Sequence, residues 1–448
     1  MASGTWHRSS GIARYAALIL AGSLLLRRLT EITETRRCAS WSAARLSSVA
    51  PPNAEEQRVH LVCIVPVYHE QQIVSDAVAC WKSLVQAGGV DEVLFVTTAK
   101  EEDDGQRSTR ALLAAALDQM ASGEPRLRMA HCAAVDRFRA AQLNLAVSEA
   151  RGRFGSEPGS ARLWIGVYNA DSRPQVSTFS ELQQRARAQP DTRAYQQLAD
   201  YVVPRREGVS WLAGGNSVLQ TWWTRSHYWA RNMRGSGSPH WWSATSPFST
   251  FGHGEFIRLD LLDEIGGFPD FAYADGLLLG WICRLMDERI GLLASRDRAE
   301  VPRTARDLIT QQRAWMRGLL NFGAAVRWAR ARSAVSLSGP EVALLRCQHL
   351  AIPLAWGLST PTVVTGIGLA IERLRRGKGT LADAAILLGL ASYPVIPALA
   401  SSREGDATSL LVRPAAAAAS WMVEGIAFWP ALVSHLLKNQ AAPAKTPR

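Results

Sequence analysis

The chain has 448 residues, enough for one large catalytic domain and something else besides, and its mean hydropathy of −0.04 averages a soluble middle with an apolar C-terminal third. A net charge of +11 and a pI near 9.7 would suit nucleic acid if the basic residues were clustered; they are scattered among acidic ones and gather beside apolar segments, so anionic lipid headgroups and phosphates are the simpler partners and nucleic acid is not one. The six cysteines (Cys38, Cys63, Cys80, Cys132, Cys283 and Cys347) show no Cys-x-x-Cys spacing and no pairing with histidines, which argues against a zinc or disulfide framework and for reduced thiols.

In chain order, residues 15–26 are apolar, flanked by Arg14 and by Arg27 and Arg28, and short for a bilayer core of about 30 Å. They read as a signal-anchor or an interfacial helix. A cleaved signal peptide fits less well, because no small-residue cleavage site follows. Residues 36–57, rich in Ser and Ala and carrying Pro51 and Pro52, read as a linker. From residue 59 the pattern changes. Residues 60–65 form an apolar run interrupted at Pro66, a buried parallel strand ending in the loop Val67-Tyr68-His69-Glu70. Helical spacing over 73–86 stops at Gly88 and Gly89. Residues 92–98 form a second strand, with the acidic turn Glu101-Glu102-Asp103-Asp104-Gly105 behind it. Residues 108–120 read as a helix, 127–134 as a third strand and 140–150 as another helix. A fourth strand over 163–168 stops abruptly at Asn169-Ala170-Asp171-Ser172, which has the composition of a turn.

Alternating strands and helices of this length predict an α/β fold with a doubly wound sheet and connections on both faces. Ligands of such sheets bind beyond the carboxyl ends of the strands, where Asp171 is delivered. The competing reading is that Asp171 only closes a strand-to-loop turn. Further along, six of the 16 tryptophans fall between Trp211 and Trp242, and tryptophan both stacks on sugar C–H groups and marks membrane interfaces. Ala213-Gly214-Gly215-Asn216 and Gly252-His253-Gly254-Glu255 read as Gly-rich turns where backbone can approach a sugar closely. After Gly318 the chain is amphipathic and basic, with Arg327, Arg330 and Arg332, as an interfacial helix would be. Residues 350–371 carry no charge and are long enough to cross a bilayer; 384–400 and 414–437 are the second and third candidate spans, the last with Glu424 inside it.

Seven short motifs occur in an order that resembles glycosyltransferase family 2, most of all its membrane-bound branch of cellulose- and hyaluronan-synthase-like proteins. They are Pro66 to Glu70, Arg139 to Asn144, Asn169 to Pro174, Gly252 to Arg258, Gly266-Gly267-Phe268-Pro269, Asp275 to Gly280, and Gln311-Gln312-Arg313-Ala314-Trp315. The resemblance covers about residues 59–318. It implies a GT-A (doubly wound, Rossmann-like) catalytic domain over 59–318, behind a membrane-anchor and linker region at 1–58. An interfacial segment at 319–349 and transmembrane helices over 350–440 would follow.

The resemblance also implies site residues. Pro66, Tyr68, Glu70 and one of Asp103 or Asp104 would hold the nucleotide base, and a carboxylate there can accept the imide N–H of uracil, so a UDP-sugar donor is expected. Arg139, or Arg137 in its stead, would face the diphosphate where the family usually has a lysine. Asn169 stands in the first acidic place of the Asp-x-Asp motif and can still hydrogen-bond the ribose or sugar. Asp171 would bind Mg²⁺ or Mn²⁺ bridging the diphosphate. Gly215, His253, Gly254, Glu255, Gln311, Gln312, Arg313 and Trp315 would line the acceptor side. Asp275 would be the general base, five residues before Gly280, with Gly276 in the slot where the family carries its aspartate; the alternative is a helix N-cap. Ala314 replaces the arginine of Gln-x-x-Arg-Trp, and Arg313, about 100° away on a helix, is a doubtful replacement.

The implied activity is inverting, hexosyltransferase-type transfer from a nucleotide sugar to a lipid-linked or polysaccharide acceptor, by a multi-pass protein of the cell membrane with a cytoplasmic catalytic domain. Processive polysaccharide synthesis and a degenerate transferase serving as a membrane-complex subunit are the alternatives. A nucleotidyltransferase would need a Gly-rich basic loop where His69-Glu70-Gln71-Gln72 stands. Arg373, Arg375, Arg376 and Lys378 between the first two spans oppose a cytoplasmic domain by the positive-inside rule. The cytosolic location of nucleotide sugars outweighs those loop charges, and one span being re-entrant would reconcile them.

Overall fold

The structure, a computed structural model, describes residues 3–49, 59–101, 108–120, 122–134, 138–154, 163–205, 207–237, 249–332, 334–400 and 409–437. The α/β part is built from a seven-stranded mixed sheet. Its strands are β1 (His60–Pro66), β2 (Glu92–Thr98), β3 (Leu127–Cys132), β4 (Leu163–Val167), β5 (Ala194–Val202), β6 (Glu255–Arg258) and β7 (Ile290–Glu300), in the order β3-β2-β1-β4-β6-β5-β7. All neighbouring pairs are parallel except those of β6, which runs antiparallel to both β4 and β5. The chain winds outward from β1 through β2 to β3, then returns to place β4 on the other side of β1. The gap beyond the carboxyl ends of β1 and β4 is therefore a topological switch point.

The central strands are continuous apolar runs because both faces are covered. Val62, Ile64, Leu94, Val96, Ile165 and Val167 enter one core, while Leu61, Cys63, Val65, Val93, Phe95 and Trp164 enter the other, the two-residue alternation of a pleated strand. The first core is roofed by α4 (Arg139–Phe154), α8 (Leu259–Ile265), α9 (Asp275–Leu285) and α11 (Phe322–Ala331). The second is roofed by α2 (Val74–Gln86), α3 (Thr109–Met120) and α5 (Val176–Ala188). The amphipathic segment after Gly318 thus spends its apolar face on the α/β core, with Phe322, Ala325 and Ala329 buried there and the Trp328 indole donating to the Ile265 carbonyl (3.0 Å).

The linker reading of residues 36–57 is corrected over its first part. Helix α1 runs unbroken over Ser3–Ser47, on the order of 65–70 Å at 1.5 Å per residue. No Gly or Pro occurs from residue 23 to residue 49, so nothing stops the helix, and Cys38 and Trp41 pack it against Tyr228 and Trp229. Residues 50–58 lie outside the described residues.

Helix α6 (Leu212–Trp223), a π-turn (Thr224–Tyr228) and α7 (Trp229–Gly237) join the sheet to the helical part. That part holds α10 (Ala305–Leu320), α12 (Gly339–Arg375), α13 (Leu381–Ala400), α14 (Ser409–Ile426) and α15 (Phe428–Leu436). Helix α12 opens on a capping box of Ser338 and Glu341 with Pro340 in its first turn. Three helical stretches, Gly339–Arg375, Leu381–Ala400 and Val412–Leu436, are long and apolar enough to cross a membrane. The third is broken near Ala427, where α14 gives way to α15. Residues Ala17 and Ala21 of α1 pack among α12 and α13, so the N-terminal apolar stretch joins this bundle.

Candidate functional site

At the switch point the loop after β1 is held by the loop after β2. Glu101 accepts from the His69 backbone N–H (3.2 Å), the Gln71 amide (2.9 Å) and the Thr109 N–H (2.6 Å), and the Glu70 N–H donates to the Thr109 hydroxyl (3.1 Å). Pro66 ends β1, Tyr68 is half-buried with its ring 4.3 Å from that of His69, and Glu70 is buried. Asp103, Asp104 and Arg137 lie outside the described residues.

The turn before β6 carries the centre of the site. Gly252 (φ +79°) and Gly254 (φ +62°) adopt left-handed backbone that only glycine takes without strain, and the Gly254 N–H donates to the Val167 carbonyl at the end of β4 (2.8 Å). The Gln196 amide donates to the carbonyls of His253 (2.9 Å) and Gly254 (3.1 Å), fixing the turn from β5. Arg139, the first residue of α4, donates to the Gly252 carbonyl (2.5 Å) and lies 3.7 Å from an Asp275 carboxylate oxygen.

Asp275 opens α9, and the capping position is Ala274, held at φ +64° with no polar side chain to cap. The aspartate is buried, and its Oδ2 has no hydrogen-bond partner among the described residues, so the N-cap reading of this side chain does not hold. A side chain at Gly276, the slot where an aspartate was expected, has no room: its Cβ would sit 2.2 Å from the Gly252 nitrogen and 3.0 Å from Glu255 Oε2.

Glu255, the first residue of β6, is fully buried, and neither carboxyl oxygen meets a hydrogen-bond partner among the described residues. The nearby Thr250 hydroxyl donates instead to the Gly276 carbonyl (2.5 Å). Burial, and then the charge of Asp275, push the Glu255 carboxyl up to about 7, against smaller opposing pulls from the charges of Arg139 and His253. The folded chain therefore holds a proton that the unfolded chain releases near 4.5. Between these values the native state binds more protons, so stability falls as pH rises through about 4.5 to 7 and levels off above. Glu255→Gln should flatten that dependence. Thermal midpoints from pH 5 to 8 check it: a shallower decline in the variant than in the parent protein is expected, and equal slopes would contradict the assignment.

The loop after β4 is anchored to β7. Asp171 is buried and accepts from the Glu300 N–H (2.9 Å). Asp297, which the sequence did not single out, is the hub beside it: Oδ2 accepts from the Ser172 hydroxyl (2.7 Å) and from His253 Nδ1 (2.9 Å), and Oδ1 from the Arg173 N–H (3.0 Å). Asp297 thus joins the Asn169-to-Ser172 loop to the Gly252-to-Glu255 turn. Among the described residues no group of three or more His, Cys, Asp or Glu side chains is arranged to hold a metal ion.

Of the remaining expected residues, Gly215 and Arg313 meet the helical bundle. The reading of Ala213 to Asn216 as a Gly-rich turn is corrected: Gly215 sits in α6, and a Cβ there would lie 2.1 Å from the Ala416 carbonyl of α14. Its glycine serves helix contact. Gly215→Ala is expected to lose about 1–3 kcal/mol, the usual penalty of overpacking, and thermal unfolding in detergent would register a lower midpoint. Asn216 donates to Glu424 (2.8 Å) and accepts from Gln220 (2.7 Å), which also donates to Gln311 (3.3 Å). Arg313 reaches the Ser434 hydroxyl of α15 (3.4 Å), away from the slot of Ala314. Gln312 is buried with its Oε1 unpartnered among the described residues, and Trp315 is half-buried. Three residues beyond Trp315, Gly318 packs against Ala274 and Leu277, so α10 rests on the start of α9 beside Asp275.

No family model and no curated protein matches this chain. One solved structure, "Crystal Structure of a Mycobacterial Protein", aligns over 59% of this chain and 74% of its own at 15% identity with a TM-score of 0.33, a likeness too slight to carry an argument.

Proposed function

We propose that the chain is a membrane-anchored inverting glycosyltransferase of family 2 type, with a GT-A catalytic domain on the cytoplasmic side. It would transfer a sugar from a nucleotide-sugar donor, by default a UDP-sugar, to a lipid-linked or glycan acceptor. The observation that carries the reading is the buried carboxylate of Asp275 with an unpartnered oxygen, set beside Arg139 and Glu255 near the switch point of the sheet. An unpaired buried acceptor is costly to a structure and calls for a use, which weighs against a degenerate, purely structural subunit. A single carboxylate poised to take a proton from an acceptor hydroxyl is what direct displacement with inversion requires. Arg139 is positively charged beside that carboxylate and would also face the diphosphate.

Asp171 would supply one carboxylate to a divalent cation held chiefly by substrate phosphates. One of its oxygens accepts from Glu300, and Mg²⁺ in such sites takes one or two carboxylates, with phosphates and water completing its shell. When bound, Mg²⁺ or Mn²⁺ would neutralise charge on the departing nucleotide. The three apolar helical stretches support membrane attachment, and transfer of single sugars is favoured over polymerisation because they are few for an exit channel. Ligand-induced stabilisation tests the reading. UDP with Mg²⁺ or Mn²⁺ should raise the thermal midpoint of the detergent-solubilised chain, and UDP with chelator should raise it less. Absence of stabilisation by any nucleoside diphosphate would count against it.

A further inference from the structure

A groove of about 600 Å³ opens between α12, α13 and α14, far from the carboxylates of the crevice in chemistry as well as in sequence. Its wall is apolar: Val364, Ile367, Gly368, Ala391, Val395 and Trp421. Pro394 and Pro414 also line it, and proline inside a helix bends it, which helps keep the three helices apart there. Its volume lies within the range of small-molecule sites, and the helices around it belong to the three stretches with the length and composition of membrane spans.

A basic pair lies behind the Trp421 end of the groove. Trp421 stacks on Tyr393 with ring centroids 4.4 Å apart, and the Arg28 guanidinium sits 3.7 Å over the Tyr393 ring. Arg28 and its neighbour Arg27 share one carboxylate, that of Glu31, which also accepts from the Trp222 indole (2.8 Å). Two positive charges thus meet one negative, and the Arg27 side chain remains 42% exposed. Arg27 and Arg28 end the apolar stretch of α1, where basic residues suit an interface with anionic headgroups.

We propose that this groove holds one hydrocarbon chain of an anionic membrane phospholipid, with the lipid phosphate beside Arg27. The apolar wall selects the chain, and the surplus guanidinium selects a negatively charged head over a zwitterionic one. The site is independent of the transferase reading, since a lipid can be held there whatever reaction the crevice performs.

Tryptophan quenching in vesicles tests it on the full chain. Vesicles of phosphatidylcholine would carry a minor fraction of either phosphatidylglycerol or phosphatidylcholine with brominated chains, and the Trp421 component is obtained by difference from Trp421→Phe. Brominated phosphatidylglycerol is expected to quench that component about fivefold more effectively at equal mole fraction, the worth of one basic residue at an anionic surface. Gly368→Leu should abolish the excess, because a Cβ at Gly368 meets nothing within 4 Å and the added side chain fills the groove. Arg27→Gln should retain quenching but lose the preference for the anionic lipid. Equal quenching of the Trp421 component by the two brominated lipids would overturn the headgroup assignment. Undiminished excess in a folded Gly368→Leu would overturn the groove.

Discussion

Asp275→Asn is expected to slow sugar transfer about 100-fold or more, the usual contribution of general-base catalysis, while donor affinity stays near that of the parent protein. The substitution keeps size and polarity and removes only the ability to take a proton. A helix cap would tolerate it, since asparagine caps about as well as aspartate, but the capping position belongs to Ala274. Donor hydrolysis and transfer should fall together if one base serves water and acceptor. Steady-state turnover under saturating donor, paired with a donor titration, provides the check. Normal turnover would move the role to Glu255 or Asp270, of which Glu255 is fully buried and Asp270 half-buried.

Asp171→Asn should remove transfer almost wholly, by on the order of 10³-fold, because several kcal/mol of stabilisation on the departing nucleotide depend on the cation it would hold. The fold should survive. An asparagine oxygen can still accept from the Glu300 N–H, so the thermal midpoint without ligand should stay close to that of the parent chain. The extra stabilisation that a divalent cation adds to bound UDP should disappear in the same variant. Full metal-dependent activity in Asp171→Asn would remove the metal assignment and leave Asp171 as an anchor between β4 and β7.

The parts of the fold that were legible are those whose burial leaves a local signature. Strands β1, β2 and β4 are covered on both faces, so each reads as an unbroken apolar run, and Ile64, Leu94 and Ile165 are fully buried in one core. Strand β6 has four residues and pairs antiparallel with strands distant in sequence, which no local pattern announces. Gly215 was misread because a sugar-facing turn and a close helix crossing ask the same thing of a residue, the absence of a Cβ. Asp297 was missed because the alternating charges of Arg296, Asp297 and Arg298 look like a solvated strand face, whereas Asp297 is fully buried on Ser172 and His253. Glu424, alone in an apolar stretch, finds its partner Asn216 at a separation of 208 residues. Pairings of that range exist only once the chain has folded.

Release of nucleoside diphosphate by the purified full-length chain, given a panel of nucleotide sugars with Mg²⁺ or Mn²⁺, tests the central claim most directly. Sustained release from one donor, greatest with a UDP-sugar, abolished by chelation and depressed about 100-fold in Asp275→Asn is the predicted result. Failure of every donor to turn over, or release that Asp275→Asn leaves unchanged, would contradict it.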